Sequence, residues 1–575
     1  MNAPKNYSRL RAALVGAVVF WALILLTRAL PPVWDEADSF ARADSVRYWA
    51  TQVLPGKAKT QESPWSESTL RTYFPNTVTR EGHPAGYVLL IAAGKSIAGL
   101  FPLISEKVAY RFGPILLFAC ALAAVFYRVE KRFSRRAAFF VVASILLLPR
   151  LFVHAQIAFG DSVLLSGWLF VWATFDAALM KKRYAALWGM ALGLTFAAKF
   201  TGLLAALPFS LYALGLALGV FHASVFSPQE ARFAGARILG IGLPIAALTF
   251  YLLNPPIWHA PAAGFAEYLR LNTHRSAYNI GIEFLGDTYH LDHSLPWWNG
   301  FFWTAITVPA GLLLAGLGSI LLPKQDRNAL MLPALNFLLL PLVRMFPGLP
   351  VHDGVRLFIA AFPFFGILAG VSLAALWDRG WRFGRMKLGV LAVGAVFLTA
   401  ALDAALFFPQ GLSFYNIFIG GLDGASRAGM ESTYYWDGLS SEVTDWLNAH
   451  TPDGEAVLMS AASAGTLQRL NEWNVLTPNA KTISIYWNRG SKDSTLKSGE
   501  EIPKFRWYVL QNRGGGLTAA DRYLLEKKKP VLTKTVGTGR FTPPLAQKTP
   551  ILFIYPYRDF LAACQKSHAD KRSGK

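Results

Sequence analysis

Cysteine is almost absent, with two residues in 575. Cys120 lies inside an apolar run and Cys564 near the C-terminus, so a disulfide between them is not expected. No Cys/His spacing of a zinc site occurs either. Charge is scarce too: 16% of residues, against about 25% in a soluble chain. That scarcity excludes an ordinary soluble fold. In its place the chain is 53% hydrophobic and 14% aromatic. Acidic residues are few against basic ones, 35 to 56, a net charge of +21. In a soluble protein such a balance points to nucleic acid. Here Lys and Arg collect in short loops between apolar runs, where they orient spanning helices, so no nucleic-acid partner is expected. There is no internal repeat and no low-complexity segment.

Apolar runs of about 20 residues are the mark of membrane-spanning helices. They fall at roughly 12–30, 86–103, 109–127, 137–153, 161–180, 184–199, 202–221, 237–254, 300–322, 329–345, 355–377 and 388–408. Basic clusters at Lys5/Arg9/Arg11, "RVEKRFSRR" (128–136), "KKR" (181–183), "EARFAGAR" (230–237), "PKQDR" (323–327) and "DRGWRFGRMK" (378–387) all fall inside only if 86–103 does not cross. That segment carries Lys95 near its middle, and a central Lys costs about 2.5–3.5 kcal/mol to insert. It reads as an interfacial helix within a first outer loop, 31–108. The expectation is an α-helical polytopic membrane protein with about 11 transmembrane helices, N-terminus inside. The start "MNAPKNYSRLRAALVGAVVF" has signal-peptide character without a convincing cleavage site, so it reads as a retained first helix.

Residues 1–408 form the membrane part on this reading, and 409–575 a soluble extracytoplasmic α/β domain. Strand-like "AVLMS", "TISIYW", "FRWYVLQ", "PVLTKTV" and "PILFIYPY" alternate there with helix-like "SSEVTDWLNAH" and "TAADRYLLEKK". The tail "KSHADKRSGK" reads as unstructured.

Polar working residues gather in the outward loops. "PPVWDEADSF" (31–40) follows the first span and carries Asp35 and Glu36, with Arg42 on the helix beyond. The acids fit a solvated loop or a helix start; they also fit a base held at headgroup depth by Trp34, Tyr48 and Trp49. "TREGHPAGYVLL" (79–90) supplies Glu81 and His83, which equally fit a turn into the next helix. Asp161, in "HAQIAFGDSVLL", fits a helix N-cap or a cavity wall. Lys199, in "AAKFTG", fits a snorkelling lysine or a phosphate ligand. "VHDGVR" adds His352, Asp353 and Arg356, surface-turn residues or a bidentate anion site. His290, Asp292 and His293 match no standard metal spacing. No metal is expected, and a divalent ion is left open.

The order of "DE" after the first span, "EGHPAGYVLLIAAGKSIAG", "PRLFVHAQIAFGDSVLLSGWLF", "GLTFAAKFTGLLAALP" and "HDGVRLFIAAFPFFGILAG" resembles the GT-C glycosyltransferases. The nearest branch is the protein O-mannosyltransferase and aminoarabinose (lipid A) transferase group. "SFYNIFIGGLDGASRAGMESTYYWDGL" (413–439) is similar to a junction in bacterial members. The resemblance covers about residues 12–440. It implies a sugar donor on polyprenyl monophosphate and transfer with inversion at the anomeric carbon to a glycan, lipid or protein acceptor. It implies Asp35 as general base with Glu36 its partner, and Asp161 as the later family aspartate. Lys199 matches the family lysine after the fifth span; Arg356 and Arg42, read from their own positions and not from the resemblance, are further candidates to meet the phosphate. The family's "HPPL"-type sequence is met at His83-Pro84 and departed from at Ala85-Gly86. The C-terminal part does not resemble the sugar-binding trefoil of the eukaryotic protein mannosyltransferases. The resemblance places the chain in a bacterial inner membrane. A transporter or lipid-linked-sugar flippase is the competing reading, and it expects charges near mid-membrane in interrupted helices.

Overall fold

The computed structural model describes residues 5–58, 62–75, 82–220, 226–273, 280–379, 382–383, 386–482, 504–536 and 549–572. Among them, seven helical runs are long and apolar enough to cross a membrane: Tyr7–Leu26, Glu106–Arg132, Gly160–Met180, Phe200–Ala217, Pro228–Leu252, Gly354–Asp378 and Leu388–Phe407. Other apolar stretches are shorter or interrupted, and the sequence says why. Leu148 precedes Pro149 and takes an extended conformation, splitting Arg135–Leu146 from Pro149–His154. Val308 before Pro309 does the same between Asn299–Thr307 and Ala310–Leu317. Helix Lys182–Phe196 follows Gly160–Met180 across a single extended residue, Lys181.

The expected interfacial segment 86–103 is a shorter helix, Gly86–Ala98. Thirteen residues rise about 20 Å, short of a hydrocarbon core of about 30 Å. It packs on Glu106–Arg132 through two facing glycines: a Cβ on Gly94 would lie 2.3 Å from the Gly113 nitrogen. Lys95 is satisfied locally, donating to Asp44 at 2.7 Å and Glu106 at 2.9 Å. Its charge therefore belongs to an ion-pair cluster with Asp44 and Glu106.

The C-terminal part holds a five-stranded mixed sheet, in spatial order Asn479–Thr482, Ala456–Met459, Phe505–Gln511, Pro550–Pro556, Leu532–Thr535. The first three strands are parallel and the last two antiparallel to their neighbours. One apolar core lies on each face. The helices Ser441–His450 and Ala519–Lys527 fall where the sequence puts them; a third, Ala464–Glu472, was not expected, although it is amphipathic and buries Leu467 and Leu470 on one face. The strand expected at "TISIYW" lies mostly outside the described residues. The tail is a correction: helix Tyr557–Arg572 runs into it. Phe560 and Ala563 bury one turn apart beneath the sheet and nucleate a helix that the polar residues continue.

Several contacts join the parts. Arg469 of Ala464–Glu472 donates to Asp44 at 2.8 Å, and the Trp473 indole donates to Glu106 at 3.1 Å. More of the join comes from the junction after the last long helix. Leu412, Tyr415, Leu422, Met430, Tyr434 and Tyr435 pack into the helical core, and the sheet's own core starts at Leu439.

Candidate active site

Four helix ends converge on one guanidinium. Arg356 begins Gly354–Asp378, Asp161 begins Gly160–Met180, Lys199 follows Lys182–Phe196, and Asp35 precedes Glu36–Tyr48. Arg356 Nη2 donates to Asp35 Oδ2 at 2.5 Å, Nε to Asp161 Oδ2 at 3.0 Å and Nη1 to Asp353 Oδ2 at 2.5 Å. Lys199 Nζ donates to the other Asp161 oxygen at 2.6 Å. The turn before the helix aims the arginine: Asp353 has φ +63° and Gly354 φ +49°, a left-handed pair that reverses the chain within two residues.

Neither acid is a helix cap. Asp35 makes no side-chain bond to the helix it precedes. Asp161 lies inside its helix, where Phe159 holds the cap position, and its carboxylate turns to Lys199 and Arg356. Local sequence allowed capping; the tertiary cations took both carboxylates.

Asp35 is the open member. Its side chain is 25% exposed, against 5% for Asp161 and Asp353 and 8% for Arg356. The Tyr435 hydroxyl donates to Oδ2 at 2.9 Å, the oxygen Arg356 already holds. Among the described residues no group bonds Oδ1. The Arg356 guanidinium also stacks on the Tyr435 ring at 4.2 Å and lies 5.1 Å from Phe159.

The C-terminal part closes the cluster from behind. Arg513, fully buried, lies 3.1 Å from Asp353 Oδ1 and 3.2 Å from Glu431 Oε2. Its Nη1 donates to the Tyr434 carbonyl at 2.8 Å, and its guanidinium stacks on Trp436 at 4.2 Å. Trp436 in turn meets Trp34 at 4.7 Å between ring centroids, next to Asp35.

Burial raises the Asp353 carboxyl, but Arg513, with His352 and Arg356, outweighs it and holds the group below the usual carboxylate range. Burial dominates at Glu431, pushing it up to about 7 against the pull of Arg513 and the Gly515 amide. Burial also lowers His352 to about 4, so it is neutral at physiological pH.

The remaining sequence candidates fall in three places. His352 sits beside Asp353, 3.9 Å away. Arg42 donates to the Tyr87 hydroxyl at 2.8 Å, and with His83 it lines a narrow cleft next to Phe159. Glu36 is elsewhere. Its buried carboxylate is gripped by Arg111 at 2.8 and 2.6 Å and accepts from the amides of Ala158 and Val33. No lone pair of it faces the Asp35 cluster, so as built it ties the first loop to Glu106–Arg132. Glu81 lies outside the described residues. Among the described residues no group of three or more His, Cys, Asp or Glu side chains is placed to hold a metal ion.

Sequence reasoning missed Tyr434, Tyr435, Glu431 and Arg513. The aromatic run "STYYWD" (432–437) was the available signal for the first two. Nothing local marks Arg513, which follows an ordinary strand.

No family model matches the sequence, and no curated protein matches it either. Solved structures to which the chain is similar include ArnT from Cupriavidus metallidurans in the apo state, 13% identical over 95% of this chain and 97% of that one, with a TM-score of 0.43. The same protein bound to undecaprenyl phosphate is 15% identical over 96% and 98%, with a TM-score of 0.40. The oligosaccharyltransferase AglB from the archaeon Archaeoglobus fulgidus, in complex with an inhibitory peptide and a dolichol-phosphate, is 13% identical over 88% and 70%, with a TM-score of 0.41.

Proposed function

We propose that this chain is a GT-C-type membrane glycosyltransferase that moves a sugar from a polyprenyl-phosphate donor to an acceptor hydroxyl or amine on the extracytoplasmic face. On this reading eleven passes carry the site, the membrane is a bacterial inner membrane, and the C-terminal part is extracytoplasmic. The observation that carries the reading is the division of labour between the two oxygens of Asp35. Arg356 and Tyr435 hold Oδ2, which orients the carboxylate and leaves Oδ1 open to accept a proton.

The acceptor's proton passes to Oδ1 as its oxygen or nitrogen attacks the anomeric carbon from the side opposite the phosphate. The glycosidic bond forms as the sugar–phosphate C–O bond breaks, so the product is inverted. The electron pair stays on the leaving polyprenyl phosphate, and its charge is offset by Lys199 and Arg356, with Arg42 nearby. Arg356 has capacity left: it offers five N–H groups, three of them engaged with carboxylates among the described residues. Asp161 and Asp353 then serve to hold the two cations in place.

The test is purified protein with labelled polyprenyl-phosphate sugars and a crude envelope fraction as acceptor source. Transfer by the wild type, lost in Asp35→Asn, is the expected result. Movement of the lipid-linked sugar across a vesicle without transfer would instead identify a flippase, and full transfer by Asp35→Asn would remove Asp35 as base.

A further inference from the structure

A second built cavity lies far from Asp35. Its volume is about 650 Å³, within the range of ligand sites. Arg11, Arg135, Arg136 and Asp378 line it, over a floor of Phe139 and Phe140. Three helices fix its position at the opposite end of the bundle. Arg11 is near the start of Lys5–Leu26, whose far end leads to Asp35. Asp378 ends Gly354–Asp378, whose first turn carries Arg356. Arg135 opens Arg135–Leu146. About 20 residues of helix separate the two ends, on the order of 30 Å, a bilayer core's thickness.

The charges in the cavity are only partly answered. Arg11 pairs with Glu130 at 2.8 Å, and Arg136 pairs with Asp378. Arg135 is exposed and makes no ion pair or hydrogen bond among the described residues. Phe139, a turn beyond it, is 48% exposed. Charge above and apolar surface below, at the end of a spanning bundle, match a ligand with an anionic head and acyl chains. A soluble anion would have no use for the phenyl floor; a neutral lipid would leave Arg135 unanswered.

We propose that this cavity binds the phosphate headgroup of an anionic phospholipid, with Arg135 as its principal ligand. The headgroup oxygens bond Arg135 and the helix-end amides. The acyl chains run along Phe139 toward the hydrocarbon core. The site is separate from any donor site at Asp35, and the proposal does not depend on the reaction assigned there.

Delipidated full-length protein in detergent, titrated with phosphatidylglycerol or phosphatidylcholine and read by native mass spectrometry, tests it. Retention of phosphatidylglycerol over phosphatidylcholine is expected, weakened at least about tenfold in Arg135→Ala, the scale of one lost charge-assisted bond. Arg135→Lys should restore part of it. Arg135 has no partner among the described residues, so these variants should fold, and circular dichroism checks that. Equal retention of the two lipids, or no effect of Arg135→Ala, overturns the proposal. If millimolar inorganic phosphate displaces the bound phosphatidylglycerol, the site takes a free anion and the lipid assignment is wrong.

Discussion

Arg356 holds Asp35 by one oxygen only. The 2.5 Å bond from Nη2 goes to Oδ2, and the other oxygen, on the most exposed acid of the cluster, stays open. A carboxylate gripped at both oxygens is a strut, as Glu36 is under Arg111. One gripped at a single oxygen is oriented and still able to take a proton. Neighbouring acids in one loop thus sit in opposite settings.

Asp35→Asn keeps the size and the Arg356 contact but loses the basic lone pair. Transfer should fall by about 10² to 10⁴-fold, the usual worth of a general base, with little change in thermal stability. The check is initial rate against labelled donor, alongside a melting curve. A variant within twofold of wild type would dismiss Asp35.

Glu36→Ala should behave in the opposite way. It leaves the Arg111 charge buried without its partner, which costs about 3–5 kcal/mol. The expected outcome is poor accumulation and a much lower melting temperature, with normal turnover per folded molecule. A stable Glu36→Ala protein that has lost turnover would make Glu36 a member of the reaction centre.

Arg513→Ala should lower turnover although the residue comes from beyond the last long helix. Arg513 steadies Asp353, Asp353 steadies Arg356, and Arg356 orients Asp35. A positioning role shows as a fall in kcat with KM for the donor nearly unchanged, partly restored in Arg513→Lys. Stability loss alone, with wild-type kcat per folded molecule, would make Arg513 purely structural.

Stability should respond to pH through two buried groups of opposite sign. Glu431 rises from 4.5 to about 7 on folding, so the folded protein binds the extra proton. That stabilisation is complete below about 4.5 and is lost as pH rises through 7, on the order of 3 kcal/mol in all. His352 falls from 6.5 to about 4, so stability drops as pH falls from about 6.5 toward 4. The two oppose each other between about 4.5 and 6.5. Glu431→Gln should flatten the loss between about pH 4.5 and 7, and His352→Gln the loss below 6.5. Melting temperatures of both variants across pH 5 to 8 decide it; profiles parallel to wild type would mean neither group titrates as stated.

Much of this molecule can be read in one dimension. Spanning helices need only apolar runs of sufficient length, so the helical class follows from composition. Four of the five strands of the C-terminal sheet follow from short β-rich runs between turn residues; the edge strand Asn479–Thr482 does not. Asp35, Asp161, Lys199, Asp353 and Arg356 were all visible too, because charge at the edge of an apolar run is conspicuous.

Their partners were not visible. Whether Asp35 caps a helix or meets a guanidinium 321 residues away depends on which helix ends converge, and local sequence carries no record of that. The same holds for Arg111, which removes Glu36 from the open cluster, and for Tyr435 and Arg513, which are ordinary residues in their own neighbourhoods. Periodicity and hydropathy are short-range properties and determine elements. A reaction centre is built from long-range contacts, and only the packed bundle decides which charges neutralise one another and which lone pair is left over.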